Sequence, residues 1–418
     1  MSQPRDHIGT KAVHHGNHNA YGRGPVVAPI VQSATFQYRP SDIREGRGPR
    51  DVLGNQYYTR YGNPTLSAAE GAIAALEGGE EALLFGSGMC ALTTAILSLV
   101  KAGDHVVAQR QIYGGAYEFI HEWLPRFGVE TTLVDAAEPE GFAAAIRPNT
   151  RLIHVESPSN PTLRVVDLAR VAALGRERGI LTSIDSTSAS PINQRPIEFG
   201  IDIVLHSATK YLAGHSDIIA GVAVGSRDFI RRLREEIIVL GGVIDPHAAW
   251  LLARGIKTLE VRVERQNETG LRLAEFLEKH PGVSRVNYPF LSSHPQHALA
   301  RRQMKGGGGL LSFELNGTPE QAQRFSGALR LFALAPSLGG VESLVTIPAV
   351  TSHIMLSPEE RRRTGVTDTL VRLAVGIENA DDLVADVDRA LRAVLASQDS
   401  DIGNAEQVAM VGTQESKA

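Results

Sequence analysis

Seven short, continuously apolar runs recur through the first half of this chain: ALLFG (82–86), HVVAQ (105–109), TTLVD (131–135), LIHVES (152–157), LTSID (181–185), IVLHS (203–207) and GVAVG (221–225). Runs this short and this apolar suit strands covered on both faces. Helix-like segments such as LARVAALGRERG (168–179) lie between them and suit right-handed crossovers. The pattern predicts an α/β fold built on one mostly parallel sheet of about seven strands.

At 418 residues the chain exceeds the size at which one core keeps growing, roughly 250 to 300 residues. Its texture changes beyond residue 250. A long helical stretch over 248–282 is followed by more separated strands, VSRVNYP (283–289), GLLSFEL (309–315) and VRLAVGI (371–377). We therefore expect an N-terminal arm over 1–62, a large α/β domain over 63–255, a smaller C-terminal α+β domain over 256–396, and a polar, aperiodic, disordered tail over 397–418.

A net charge of -4 gives no basic footprint for nucleic acid or an anionic membrane surface. Cys90 is the only cysteine, which excludes an internal disulfide and a cysteine-based metal cluster, and no metal is expected. The first residues lack the apolar core of a signal peptide, and no stretch approaches about 18 uninterrupted apolar residues. A cytoplasmic protein without membrane or nucleic-acid partners is expected.

The run Gly86-Ser87-Gly88-Met89-Cys90-Ala91 after the first strand satisfies the dinucleotide glycine pattern. That reading also needs an acidic residue ending the next strand, to hold the ribose hydroxyls, and this chain reads AQRQIYGG there. The motif reads as a phosphate cradle at a helix start, without the ribose reader.

Ligands of open α/β sheets collect beyond the carboxyl ends of strands. Reading those ends in order gives Gly88 and Met89 with amide donors, Tyr113 with an aromatic face, Asn160 with an amide, Asp185 with a carboxylate, and Ser207, Thr209 and Lys210. Pyridoxal 5'-phosphate needs donors for its phosphate, a carboxylate to keep its ring nitrogen protonated, and a lysine to form an imine. Taken singly, Lys210 could be a solvated charge, Asp185 a helix cap, Tyr113 packing and Arg372 an ion pair. Their joint order at successive strand ends selects the cofactor.

With these residues assembled, the chain resembles the Cys/Met-metabolism family of fold-type I pyridoxal phosphate enzymes over residues 8 to 395. The motifs are YYTRYGNPT (57–65), GSGMCA (86–91), ESPSNPTLRVVD (156–167), HSATKYLAGHSDIIAG (206–221), SLGGVESL (337–344) and LVRLAVGIEN (370–379). The resemblance implies that Lys210 forms the imine, Asp185 partners the pyridine nitrogen, Tyr113 stacks on the ring and moves a proton at the leaving group, and Asn160 bonds the ring hydroxyl. It implies a phosphate held by Gly88, Met89, Ser207 and Thr209, with Tyr58 and Arg60 reaching in from a neighbouring subunit. Arg372, aided by Ser337 and Asn160, is expected to clamp the substrate carboxylate in a bidentate fork. Amino-acid substrates and a homotetramer built as a dimer of dimers with shared sites follow from the same resemblance.

Departures refine the expected activity. Relatives commonly read DNTFATP where this chain reads DSTSASP (185–191), so Ser188 replaces an aromatic near the ring. Pro336 stands where many carry a glutamate, as in the plant-type γ-synthases. Methionine γ-lyases usually carry a cysteine two residues after the stacking tyrosine, and this chain has Gly115. The expected reaction is γ-replacement on an O-activated homoserine by cysteine, giving cystathionine. A cystathionine γ- or β-lyase and a homoserine-ester sulfhydrylase are the alternatives.

Overall fold

The computed structural model describes residues 6–16, 25–43, 48, 54–136 and 139–395. The tail over 397–418 lies outside them, as does part of the N-terminal arm. The first sheet comprises β1 (Glu81–Phe85), β2 (His105–Gln109), β3 (Glu130–Val134), β4 (Thr150–Glu156), β5 (Leu181–Asp185), β6 (Ile203–Ser207) and β7 (Gly221–Gly225). Their order is β1-β7-β6-β5-β4-β2-β3, and β7 runs antiparallel to both neighbours while the other pairs are parallel.

Alternate residues of these strands enter different cores, which is why the runs carry no polar alternation. Leu84, Ile153, Val204, Val222 and Val224 pack in one cluster with Ile73, Leu76 and Leu252. Leu83, Phe85, Leu152, Ile203, Leu205 and Ala223 pack in another with Leu92, Ile96 and Leu233. Helices therefore cover both faces. The seven expected strands all form, within a residue or two of their expected ends.

The second sheet has the order β10-β11-β12-β9-β8, with β8 (Val283–Asn287), β9 (Leu310–Leu315), β10 (Ala333–Leu334), β11 (Leu344–Thr346) and β12 (Leu370–Ala374). Its core joins Leu273, Leu277, Phe313, Phe325, Leu373 and Leu391. Sequence reading misses β10 and β11, because two- and three-residue strands beside Pro336, Gly339 and Gly340 are too short to display a period. Among the described residues no helix is long and apolar enough to cross a membrane.

The expected single helix over 248–280 is two helices, Pro246–Ile256 and Leu259–Glu278. Thr258, at φ -110° and ψ 8°, leaves the helical path. The freed Gly255 carbonyl accepts from Thr258 Oγ1 at 3.1 Å and from Arg262 Nη2 at 2.9 Å. Arg262 is buried, and its Nη1 donates to the Tyr211 carbonyl at 2.9 Å, so the break secures the turn that follows Lys210.

Two glycines test how tightly this framework is packed. A Cβ on Gly221, at the start of β7, would stand 2.1 Å from the Ser87 carbonyl oxygen, whereas one on Gly71 in helix Pro64–Glu77 meets nothing within 4 Å. Gly221→Ala is expected to destabilise the protein by about 1–3 kcal/mol. Gly71→Ala is expected to stabilise it by about 0.5–1 kcal/mol. Shifts of the urea midpoint in opposite directions are the measurement.

Candidate active site

The carboxyl ends of β1, β4, β5 and β6 open on one edge of the first sheet, since β1 and β6 both run antiparallel to β7. Gly221 is the register partner of both Phe85 and Ser207, which brings the residues after β1 level with the end of β6. Ser87 caps helix Gly88–Leu97 by accepting from the Cys90 amide at 3.0 Å. The amides of Gly88 and Met89 are the orphan donors that a helix start presents. A Cβ on Gly88 would lie 2.7 Å from Ser207 Cβ, so only glycine lets this turn close on Ser207. The result is a small cradle of amides and one hydroxyl, suited to a phosphate.

Thr209, expected as a phosphate donor, is bonded within the chain to Ala220. Its Oγ1 donates to the Ala220 carbonyl at 3.2 Å and accepts from the Ala220 amide at 2.9 Å, locking the turn before Lys210 onto the entry to β7.

Lys210 Nζ donates to Ser337 Oγ at 2.8 Å. Ser337 sits at φ 133°, a region L-residues rarely occupy, and its hydroxyl and carbonyl oxygens both accept hydrogen bonds. Its carbonyl accepts from Arg372 Nη2 at 2.8 Å, while Arg372 Nη1 donates to Asn160 Oδ1 at 3.1 Å. Arg372 is 4% exposed, faces no carboxylate among the described residues, and has a buried Nε without a partner. Burial pushes its guanidinium down to about 10. Burial, and then the Arg372 charge, push Lys210 down to about 8. An uncompensated buried cation is costly, and a carboxylate is the group that would satisfy it.

Below this pair, Glu156 and Asp185 are register partners at the ends of β4 and β5. Asp185 Oδ1 accepts from the Thr187 amide at 2.9 Å. Burial raises its carboxyl above the usual range. Glu156 is raised further, first by burial and then by Asp185. Its two oxygens accept from the backbone amides of Tyr113 at 2.6 Å and Asn160 at 2.7 Å. Glu156 escaped the sequence reading, although an acid closing an apolar strand run is the same signal that marks Asp185. The Tyr113 ring, in a residue 41% exposed, rests over Gly115, where a Cβ would stand 2.8 Å from Tyr113 Cε1 and 3.2 Å from Met89 Sδ. His353, also missed, is buried beside this loop and pushed down to about 4 by burial and by Arg372. Nothing in its sequence setting marks it.

Tyr58 and Arg60 stand apart from the cradle within the chain. The Arg60 guanidinium lies 5.6 Å from the Tyr58 ring centroid and 5.1 Å from that of Tyr61, and it donates to the Ile238 carbonyl. With Gly241, Val243 and Asp245 these residues line an open cleft.

Comparison with known proteins places nearly the whole chain in a family. A model of the family described as Cys/Met metabolism PLP-dependent enzyme matches residues 9–392. The chain belongs to that family. It is 43% identical over 386 residues to an L-methionine gamma-lyase of Pseudomonas putida, covering 92% of this chain and 97% of that one. It is also 43% identical over 392 residues to the chloroplastic cystathionine gamma-synthase 1 of Arabidopsis thaliana, covering 92% and 69%. A crystal structure of metB from Corynebacterium glutamicum matches with a TM-score of 0.87 at 38% identity, covering 94% of this chain and all of that one. The expected α/β, fold-type I architecture and the pyridoxal phosphate dependence are both those of this Cys/Met metabolism family.

The residues present fit the cofactor. The Gly88 turn and Ser207 suit its phosphate, partly buried Asp185 suits a protonated ring nitrogen, and Lys210 is held within reach of neutrality. A neutral amine is needed to attack the cofactor's carbonyl, and that form grows as pH rises through about 8. Uptake of pyridoxal phosphate by cofactor-free protein, followed by visible absorbance, should therefore accelerate with pH and level off above that value. An ordinary lysine would still be gaining near about 10.4. Arg372→Gln removes a neighbouring cation and should move the rise to higher pH; an unmoved profile would mean that Arg372 does not act on Lys210.

Proposed function

We propose that this enzyme catalyses γ-replacement on an O-activated homoserine, with cysteine as the thiol and cystathionine as the product. The observation that carries an amino-acid substrate is Arg372, a buried guanidinium whose Nε lacks a partner, next to a depressed Lys210. Local matches to γ-synthases in ESPSNPTLRVVD and SLGGVESL, with Gly115 and Pro336, favour replacement over dedicated methionine cleavage.

Bound pyridoxal phosphate supplies the electron sink that makes the substrate's α-hydrogen acidic. Asp185 would hold the proton on the ring nitrogen. Arg372 would fix the α-carboxylate in a fork, orienting the Cα–H bond toward Lys210. Lys210, as the neutral amine, takes the proton from Cα, and Ser337 Oγ steadies its head between proton transfers. Tyr113 would deliver a proton to the γ-oxygen as loss of a Cβ proton drives its departure, and the cysteine sulfur, giving up its own proton, would bond Cγ while Cβ takes a proton back. General acid-base help of this kind is worth about 100- to 10,000-fold.

Elimination is the second reading, kept open by the equal 43% identity to a methionine γ-lyase and a cystathionine γ-synthase. The same residues serve both outcomes, and the choice depends on whether a thiol or water consumes the product of γ-elimination. Assaying homoserine esters with and without cysteine, and cystathionine alone, separates them. Cystathionine formation from an ester supports replacement; 2-oxobutanoate release unaffected by cysteine supports elimination.

We also propose a dimer of dimers in which Tyr58 and Arg60 complete a neighbour's phosphate site. Tyr58 is 39% exposed, and no hydrogen bond joins either residue to Gly88, Met89 or Ser207 among the described residues. Inactive Arg60→Ala and Lys210→Ala chains, mixed under conditions of shown subunit exchange, should recover activity, since a hybrid can hold both native groups in one site. Absence of recovery would place the whole site in one chain.

Arg372→Lys keeps the charge and loses the fork. We expect a loss of about 2–4 kcal/mol in transition-state binding, read as a roughly 30- to 1,000-fold fall in kcat/KM. The fall should be alike for every homoserine ester, because all share the α-carboxylate. Near-normal kcat/KM, or impairment with one ester alone, would mean that the carboxylate binds elsewhere.

A further inference from the structure

We infer that Glu156 is a positioning residue, one carboxylate that sets Tyr113 and Asn160 together against the cofactor. The inference rests on the pyridoxal phosphate reading of the site. Tyr113 and Asn160 belong to different loops, after β2 and after β4, yet the backbone amides of both donate to Glu156, to Oε2 at 2.6 Å and Oε1 at 2.7 Å. Two inward amides need two acceptor atoms at fixed separation, and a carboxylate supplies them where a primary amide offers only one. Gln109 orients the clamp from below. Its Oε1 accepts from the Glu156 amide at 2.9 Å, and its Nε2 donates to the Gln111 carbonyl at 2.7 Å, two residues before Tyr113.

The same placement separates Glu156 from proton transfer. It is 3% exposed, both its oxygens are engaged, and it reaches the site only through backbone groups. Asp185 beside it is the carboxylate left to face the ring nitrogen. Moving Glu156 should therefore alter the Tyr113 ring and the Asn160 amide together. Asn160 also carries the Arg372 contact, so the substrate carboxylate would shift with them.

The test uses Glu156→Gln and Glu156→Asp in the full chain. Cofactor-free melting, the dissociation constant for pyridoxal phosphate, and visible circular dichroism of the loaded protein are measured; the last reports how asymmetrically the ring is held. Glutamine strands one amide, so affinity should fall roughly 10- to 100-fold. The dichroism should change at saturating cofactor, beyond whatever fall in cofactor-free melting the stranded amide brings. Aspartate keeps two oxygens and the charge but is one methylene shorter, so it should fail in the same way. Parent-like affinity and dichroism in the glutamine variant would overturn the inference, as would full function in the aspartate variant, which would assign the effect to charge. A variant that melts early but carries a parent-like cofactor signal would make Glu156 a structural acid and also overturn it. Failure of the parent protein to take up pyridoxal phosphate would instead remove the cofactor reading, and this inference with it.

Discussion

Glu156 and Asp185 end adjacent parallel strands side by side, Glu156 buried and Asp185 partly buried. Two carboxylates there cannot both be charged without compensation, since burial raises both and the Asp185 charge raises Glu156 further. The loops above are arranged around that constraint. Glu156 is occupied by two amides, and Asp185 is left as the acid whose ionised form gains most from a cation. Across the site Lys210 and Arg372 form the opposite case, two cationic side chains with only neutral partners among the described residues. A protonated pyridine nitrogen on one side and an α-carboxylate on the other complement these charges, so electrostatics and cofactor chemistry point the same way.

Backbone packing brings these groups to one level. Gly221 pairs with both Phe85 and Ser207, and its missing side chain lets the Ser87 carbonyl lie across the start of β7. Thr209 ties the turn before Lys210 to Ala220, and Arg262 ties the turn after it to the break at Thr258. The lysine is thus anchored on both sides in sequence, while Ser337, from the segment beside the second sheet, holds its tip. The site is rigid in the first sheet and completed by the second.

Selectivity rests on smaller features. A methionine γ-lyase and a cystathionine γ-synthase share the same identity with this chain, so the scaffold cannot carry the distinction. Gly115 can influence it, because any side chain there meets the Tyr113 ring and Met89 at once. Tyr113 is the proton donor to the leaving atom in the proposed reaction, so a side chain that displaced its ring would act on that step.

The sequence by itself determined the sheet and much of the candidate site. Continuously apolar runs require cover on both faces, and residues at the ends of parallel strands must converge, which made Lys210, Asp185, Asn160 and Tyr113 legible. Periodicity is local, so it was silent about short β10 and β11 and about the break at Thr258, where a distant arginine decides which carbonyls can be left open. Only the tertiary structure assigned partners: Thr209 to Ala220, Ser337 to Lys210, His353 to the surroundings of Arg372, and Glu156 to two loops at once. A hydrogen bond depends on separations in space that residue spacing does not encode, and burial, which sets the charge each group can carry, exists only once the chain has closed around it.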